Sequence, residues 1–308
     1  MTDPPAEVDL DRAAAEAWIC AHVEPVAELE TASVEPWATV LRVPLAEGVV
    51  WFKACAPVQA FEPRLTAQLF TRWPDRVAEV IGHDEGRAWL LLGDAGTPLR
   101  ELGNPPETWL DVLPPYAELQ RGETEHAREH LEHHVPDLRV EALPARYEDL
   151  LRHELPLEPG ETERLRGFAP RFGELCEELA SHDVPDSVQH DDLHMTNVYA
   201  RDGRLRVLDW GDSSISHPFA SLVETFRFLE GENGLAPDDP WFARLRDAYL
   251  EPWGGGLVET FELAMRVGTF AHAIAWVRQR ENLPEARRIE FDVWFPVVLR
   301  RAVALTVD

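Results

Sequence analysis

A chain of 308 residues, 45% hydrophobic and 28% charged, has room for one large two-lobed domain or two ordinary ones and the composition of a globular protein, which excludes a disordered chain. A net charge of −27 argues against nucleic acid or an anionic membrane surface as a partner and weakly favours a cationic small molecule. The chain has no apolar run of membrane-spanning length, its acidic start "MTDPPAEVDLDR" lacks the pattern of a secretory signal, and Cys20, Cys55 and Cys176 are scattered, so a protein of the reducing cytoplasm is expected.

The first third reads as mixed α and β. "DLDRAAAEAWICAHV" is an Ala-rich helix candidate with Leu10, Ala14, Ala17 and Trp18 on one side. "VAELETASV", "WATVLRVPL" and "VVWFKAC" then read as three short strands. The last contains a compositional oddity: 28 of the 29 basic residues are Arg, and the one Lys is Lys53. A compact ammonium on a flexible stem does what a flat guanidinium fork cannot, so a lone Lys inside an apolar strand suggests a site. "FEPRLTAQLFTRW" places Phe61, Leu65, Leu69 and Trp73 at helical spacing, with Pro63 tolerable in the first turn. "RVAEVIGHD" and "GRAWLLLGD" predict a hairpin, and "GDAGTP" a hinge.

After residue 100 the chain turns mainly helical. Pro114-Pro115 should kink or break a helix in "PETWLDVLPPYAELQ". "EHAREHLEHHV" spaces His126, His130 and His134 four apart; without a completing motif nearby, it reads as a solvated helix face. Further helices are expected near 145–155, 161–182, 257–280 and 285–304. Between them, "SVQHDDLHMTNVYARDGRLRVLDWGD" alternates β-prone pieces with polar loops, with a hairpin turn at Asp202-Gly203.

That stretch carries the chemistry. His190, Asp192 and Asn197 follow the pattern His-x-Asp-x-x-x-x-Asn, and a strand-like run then ends at Asp209. This spacing suits phosphoryl transfer: a loop carboxylate accepts a hydroxyl proton, while an amide and a second carboxylate share magnesium on nucleotide phosphates.

On these residues the chain resembles the aminoglycoside phosphotransferase and choline kinase family, small-molecule kinases with a protein-kinase-like fold. The family's His-Gly-Asp-Leu-His-x-x-Asn is here His190-Asp191-Asp192-Leu193-His194-Met195-Thr196-Asn197, and its Ile-Asp-Trp-Glu/Asp is Leu208-Asp209-Trp210-Gly211. The resemblance implies an α+β, two-lobed fold: a small antiparallel-sheet N-lobe over 1–93, a hinge at 94–100, and a helical C-lobe over 101–308 carrying the substrate site. It implies Asp192 as the catalytic base, Asn197 and Asp209 as Mg²⁺ ligands, Lys53 on the α/β-phosphates with Glu62 as its helix partner, and adenine bound at Leu92, Gly93 and Asp94. The nucleotide would be ATP, with GTP the alternative, and the acceptor a hydroxyl of a small molecule such as an amino sugar, amino alcohol or aminoglycoside. No nucleic-acid or membrane partner is implied, and no oligomeric state follows.

Three departures stand out. No glycine precedes Gly48, so a Gly-rich phosphate loop is missing and cover would come from residues such as Ser33. Asp191 replaces the family's glycine, where its like charge should raise the pKa of Asp192. "SHPFASL" puts His217 and Ser221 where the family has aspartates, which should weaken support of the Asp192 loop. Two other readings remain: a catalytically impaired nucleotide-binding protein of the same fold, and a metal-dependent hydrolase built on "HDDLH".

Overall fold

The computed structural model describes residues 10–307; the acidic start, 1–9, lies outside them. In chain order the elements are α1 (Arg12–Cys20), β1 (Glu30–Val34), β2 (Ala38–Pro44), β3 (Val49–Cys55), α2 (Glu62–Arg72), β4 (Val80–Asp84), β5 (Trp89–Gly93) and β6 (Thr97–Pro98). Then come α3 (Trp109–Glu123), α4 (Ala127–Glu132), β7 (Asp137–Leu138), α5 (Leu143–Leu150), α6 (Pro159–Ala180), β8 (Ser187–Gln189), β9 (Val198–Arg201), β10 (Arg204–Val207) and β11 (Ser214–Ser216). The chain closes with α7 (Leu222–Asn233), α8 (Pro240–Leu250), α9 (Val258–Glu281) and α10 (Glu285–Ala304). Two compact units emerge: the first takes in the chain up to Thr97 with Tyr199–Gly211 and Gln279–Phe291, and the second takes in Pro98–Val198, Asp212–Arg278 and the chain from Asp292.

The first unit is built on an antiparallel sheet of order β1-β2-β3-β5-β4. Side chains alternate across a strand, so Val50, Phe52 and Ala54 of β3 share one face. They join Leu41, Val43, Trp89 and Leu91 in a core that α1 closes with Ala15 and Ile19. Burying a side chain such as Phe52 contributes about 1.5–3 kcal/mol. Asp11 starts α1 by accepting a hydrogen bond from the Ala14 amide at 3.0 Å. The same alternation sends Lys53 to the opposite face of the sheet. Pro63 sits in the first turn of α2, where it costs no hydrogen bond. The β9–β10 turn has positive φ at both Asp202 (52°) and Gly203 (71°), as a tight I′ hairpin requires. The Val207 amide donates to the Arg76 carbonyl at 2.9 Å and pins the end of β10, two residues before Asp209.

The second unit is mainly helical, with a small sheet of order β7-β11-β8. Tyr147, Phe168, Phe172 and Phe270 draw α5, α6 and α9 together, with ring centroids 4.7–5.7 Å apart. Two expectations need correction. Neither Pro114 nor Pro115 breaks α3, which runs through both. The missing N–H donors are offset by a buried face of Trp109, Val112, Leu113, Tyr116, Ala117, Leu119 and Gln120, an instance of tertiary packing overriding local propensity. The histidine run is not a wholly solvated face. His134 is exposed, but His130 is buried with its Nε2 2.8 Å from Oε2 of buried Glu123. Among the described residues, no helix is long and apolar enough to cross a membrane.

Candidate active site

In the first unit, three of the expected residues meet. Lys53 Nζ lies 2.8 Å from Oε1 and 2.6 Å from Oε2 of Glu62, and 2.6 Å from Oδ1 of Asp209. Lys53 comes from the mid-sheet strand β3, Glu62 from the first residue of α2, and Asp209 from just after β10. The Cys55 thiol adds a 3.2 Å hydrogen bond to Glu62 Oε2. Burial alone would lower the Lys53 pKa, but Asp209 and Glu62 outweigh it and hold the ammonium well above its usual range. For Glu62, burial raises the pKa, Lys53 opposes the rise, and Asp209 adds to it. Burial also pushes the Cys55 thiol up, so Cys55 serves as a neutral donor.

Asp209 adopts a left-handed conformation (φ 65°), uncommon for a non-glycine residue but open to Asp. Next to it, Trp210 is fully buried and donates from Nε1 to the Val207 carbonyl at 3.3 Å. Gly211 stands where the resemblance has an acidic residue. A Cβ there would come within 2.5 Å of Gln59 Oε1 and 2.8 Å of Glu62 Oε2, so any side chain at 211 would have to displace the ends of these two buried side chains, and glycine leaves both in place.

Leu92 and Gly93 end β5, and Asp94 follows it directly. Leu92 is buried, the Gly93 amide donates to the Glu79 carbonyl at 2.9 Å, and the Asp94 carbonyl accepts from Arg201 Nη1 at 2.5 Å. Arg201 also pairs with the Asp94 carboxylate at 3.1 Å. Two backbone groups of this segment thus have protein partners. Ser33 lies within β1 opposite Val40, and the β1–β2 turn closes through a 2.8 Å bond from the Glu35 amide to the Ala38 carbonyl.

In the second unit, the 190–197 loop brings Asp192 and Asn197 together. Asn197 Nδ2 donates to both the carbonyl and Oδ2 of Asp192, each at 2.9 Å. Asn197 Oδ1, the atom a hard cation would take, accepts from Thr196 Oγ1 at 3.4 Å. His194 Nε2 sits 3.1 Å from Asp192 Oδ1, and His194 Nδ1 lies 3.0 Å from Thr196 Oγ1. His190 is buried, and its Nδ1 accepts from the Asp192 amide at 3.3 Å. Burial works to raise the Asp192 pKa, but His194 and His190 prevail and hold it far below the usual carboxylate range.

The expected raising of Asp192 by Asp191 is therefore not found; the raised carboxyl is Asp191 itself. Asp191 is buried, accepts from Ser214 Oγ and Gln189 Nε2, and is pushed up to about 7 chiefly by desolvation. Its φ of 62° explains the family glycine at this position: the backbone is left-handed, and Asp is among the few side chains that tolerate it.

The Asp192 loop is supported by uncharged groups, of which sequence reasoning singled out Ser221 and His217 but missed Tyr116, Gln120 and Tyr249. Tyr116 Oη accepts from the His190 amide at 3.1 Å and lies 2.9 Å from Ser221 Oγ. Gln120 Nε2 donates to Ser221 Oγ at 3.0 Å and to the Val188 carbonyl at 2.9 Å, and Gln120 Oε1 accepts from Tyr249 Oη at 2.6 Å. His217 is buried and held neutral, its pKa lowered to about 3 by burial and then by His182; its Nδ1 accepts from the Phe219 amide. Ser221 thus takes part in a neutral network where the resemblance has an aspartate.

Taken singly, Asn197 and Asp209 each carry an oxygen of the hard kind Mg²⁺ takes, and 41% of the Asp209 side chain is exposed. Among the described residues, no group of three or more His, Cys, Asp or Glu side chains is placed to hold a metal ion, so the hydrolase reading lacks its ligand set.

The α+β architecture, an antiparallel five-stranded sheet in one unit and a mainly helical second unit, is the fold of choline kinases and aminoglycoside phosphotransferases. The structure of an aminoglycoside 2'-phosphotransferase-IIIa solved as its GDP complex matches with a TM-score of 0.64 at 13% identity, covering 96% of this chain and 99% of that one. The choline kinase LicA from Streptococcus pneumoniae matches at 0.62 and 13%, covering 95% and 98%. A choline/ethanolamine kinase family protein from Mesorhizobium loti matches at 0.61 and 15%, covering 96% and 95%. No family model matches the sequence, and no curated protein matches it at sequence level.

Proposed function

We propose that this protein is an ATP- and Mg²⁺-dependent phosphotransferase acting on a hydroxyl of a small molecule. The observation that carries this reading is the meeting of Lys53 with Glu62 and Asp209, a lone lysine held by a helix carboxylate and by a carboxylate 156 residues away. In this reading Lys53, braced by Glu62, aligns the nucleotide phosphates. Asn197 and Asp209 would be the Mg²⁺ ligands, and the bound ion would neutralise charge on the phosphate oxygens. Asp192, kept ionised by its histidine neighbours and oriented by Asn197, accepts the acceptor hydroxyl proton. Leu92 and Gly93 at the end of β5, with Asp94 just after it, border the nucleotide base; ATP is the first candidate and GTP the second. The fold, shared with a phosphotransferase solved with GDP and with choline kinases, supports a nucleotide and a small acceptor.

Calorimetric titration with Mg-ATP at fixed magnesium tests the site. The parent should bind in the micromolar to millimolar range, and Asp209→Asn should weaken binding at least about tenfold. Asp192→Ala should keep nucleotide affinity while turnover falls by about 10²–10⁴. No binding by the parent sinks the reading. Binding without transfer to any hydroxyl acceptor replaces it with the nucleotide-binding alternative, which the glycine-free β1–β2 turn favours.

A further inference from the structure

A second charged cluster sits on α7, against the Asp192 loop. Thr225 Oγ1 donates to the Leu193 carbonyl at 2.6 Å, and the Phe228 ring stacks on His194 with centroids 4.0 Å apart. The Arg227 guanidinium lies 3.9 Å from the same Phe228 ring. The steps from Asp192 to Arg227 thus run through His194 and Phe228, each in van der Waals or hydrogen-bond contact with the next. On the same helix, Glu224 is 3% exposed and accepts from Arg227 Nε at 2.7 Å, from Arg227 Nη2, and from Arg301 Nη1 at 3.2 Å. His272 Nε2 is 3.3 Å from Glu224 and is kept towards neutrality by burial.

One buried carboxylate therefore fixes the guanidinium groups of two arginines whose side chains are 31% and 29% exposed. Each guanidinium has five N–H donors, so donors remain after Glu224 is served, and their planar forks match carboxylate and phosphate oxygens. Exposed Glu230 is within electrostatic reach of Arg301, but solvent screens it. Two side chains away from Asp192, the two guanidinium charges exceed the single Glu224 carboxylate, a balance that favours an anionic group over the ammonium of an amino sugar or amino alcohol. We infer that the acceptor carries an anionic oxygen group, a carboxylate or a phosphate, which Arg227 and Arg301 bind while its hydroxyl faces Asp192. This rests on the phosphotransferase reading of Asp192, and it assigns Glu224 as the positioning residue for both arginines.

The test is direct binding to the full chain without nucleotide. D-gluconate and D-glucose 6-phosphate are titrated by calorimetry beside ethanolamine and choline. At least one anion should bind ten times more tightly than either amine, and comparison of the two anions separates carboxylate from phosphate recognition. Arg301→Gln and Arg227→Gln should each weaken that binding about tenfold to a hundredfold, as expected for a lost charge-assisted pair. Arg301, half-exposed near the end of α10, keeps the test sound if Arg227→Gln folds poorly. Tighter binding of the amines, unchanged affinity in both variants, or no anion binding at millimolar concentration overturns the inference. Because no phosphate transfer is read, this outcome and that of the Mg-ATP titration fail or succeed separately.

Discussion

Two buried polar clusters organise this protein, and they are built on opposite terms. Around Lys53 the first unit buries full charges: an ammonium, the Glu62 carboxylate beside it, and the half-exposed Asp209. Behind the Asp192 loop the second unit buries Tyr116, Gln120, Ser221 and Tyr249, all neutral, and joins them by hydrogen bonds of 2.6–3.0 Å. A buried charge pair is costly to assemble and often contributes little net stability, whereas a satisfied neutral network escapes the charge penalty. Charge is thus concentrated around Lys53, whereas the Tyr116, Gln120, Ser221 and Tyr249 network does without it. An aspartate at position 221 would bring charge into a neighbourhood of hydroxyls and an amide, and serine avoids that cost.

The sharpest way to break this comparison is Lys53→Ala. It leaves Glu62 buried without its cation, and loss of one member of such a pair costs about 3–5 kcal/mol. Denaturant unfolding should show that drop, and the double variant Lys53→Ala/Glu62→Gln should recover part of it. A single variant within about 1 kcal/mol of the parent would mean the cluster is not held by charge pairing at all.

Asp191 is the exception on the neutral side, and pH exposes it. Its folded pKa of about 7 lies above the ordinary carboxylate value, so the folded state binds its proton more tightly than the unfolded chain does. Stability from this group is full below about pH 4 and is lost as pH rises towards 7, with a total on the order of 3–4 kcal/mol. Asp191→Asn should therefore flatten the stability profile between about pH 4 and 7 relative to the parent. Parallel profiles would show that Asp191 is already ionised in the fold.

Much of this was legible in the sequence, for local reasons. The strands, the β9–β10 turn and α2 follow from periodicity and turn chemistry, and the lone Lys53 marks a position where residue type matters more than composition. The Asp192, Asn197 and Asp209 spacing is legible because a loop and a hairpin fix it within twenty residues. What escaped depends on distant packing. Gly211 looks like a lost acidic residue until the chain is seen passing over Glu62. The φ of Asp191 was signalled by the glycine usual there, but not its two buried donors. The prolines of α3 point to a break that the buried face around them prevents. Tyr116, Gln120, Ser221 and Tyr249 come from α3, α8 and the segment before α7, and spacing gives no hint that they meet.

Their meeting yields the smallest predicted effect. Ser221→Ala removes one hydroxyl from the network but strands no partner completely. Tyr116 Oη still accepts from the His190 amide, and Gln120 Nε2 still reaches the Val188 carbonyl at 2.9 Å and the Pro218 carbonyl at 3.3 Å. The cost should therefore be about 1 kcal/mol, the value of a hydrogen bond whose partners keep other bonds, and well short of the Lys53→Ala loss. Because the Tyr116 phenol touches the loop at His190, two residues from Asp192, the variant should also lower turnover by a small factor without altering Mg-ATP affinity. A loss equal to that of Lys53→Ala would mean that the network works as a single unit, each member dependent on all the others, and that the neutral cluster is as vulnerable as the charged one.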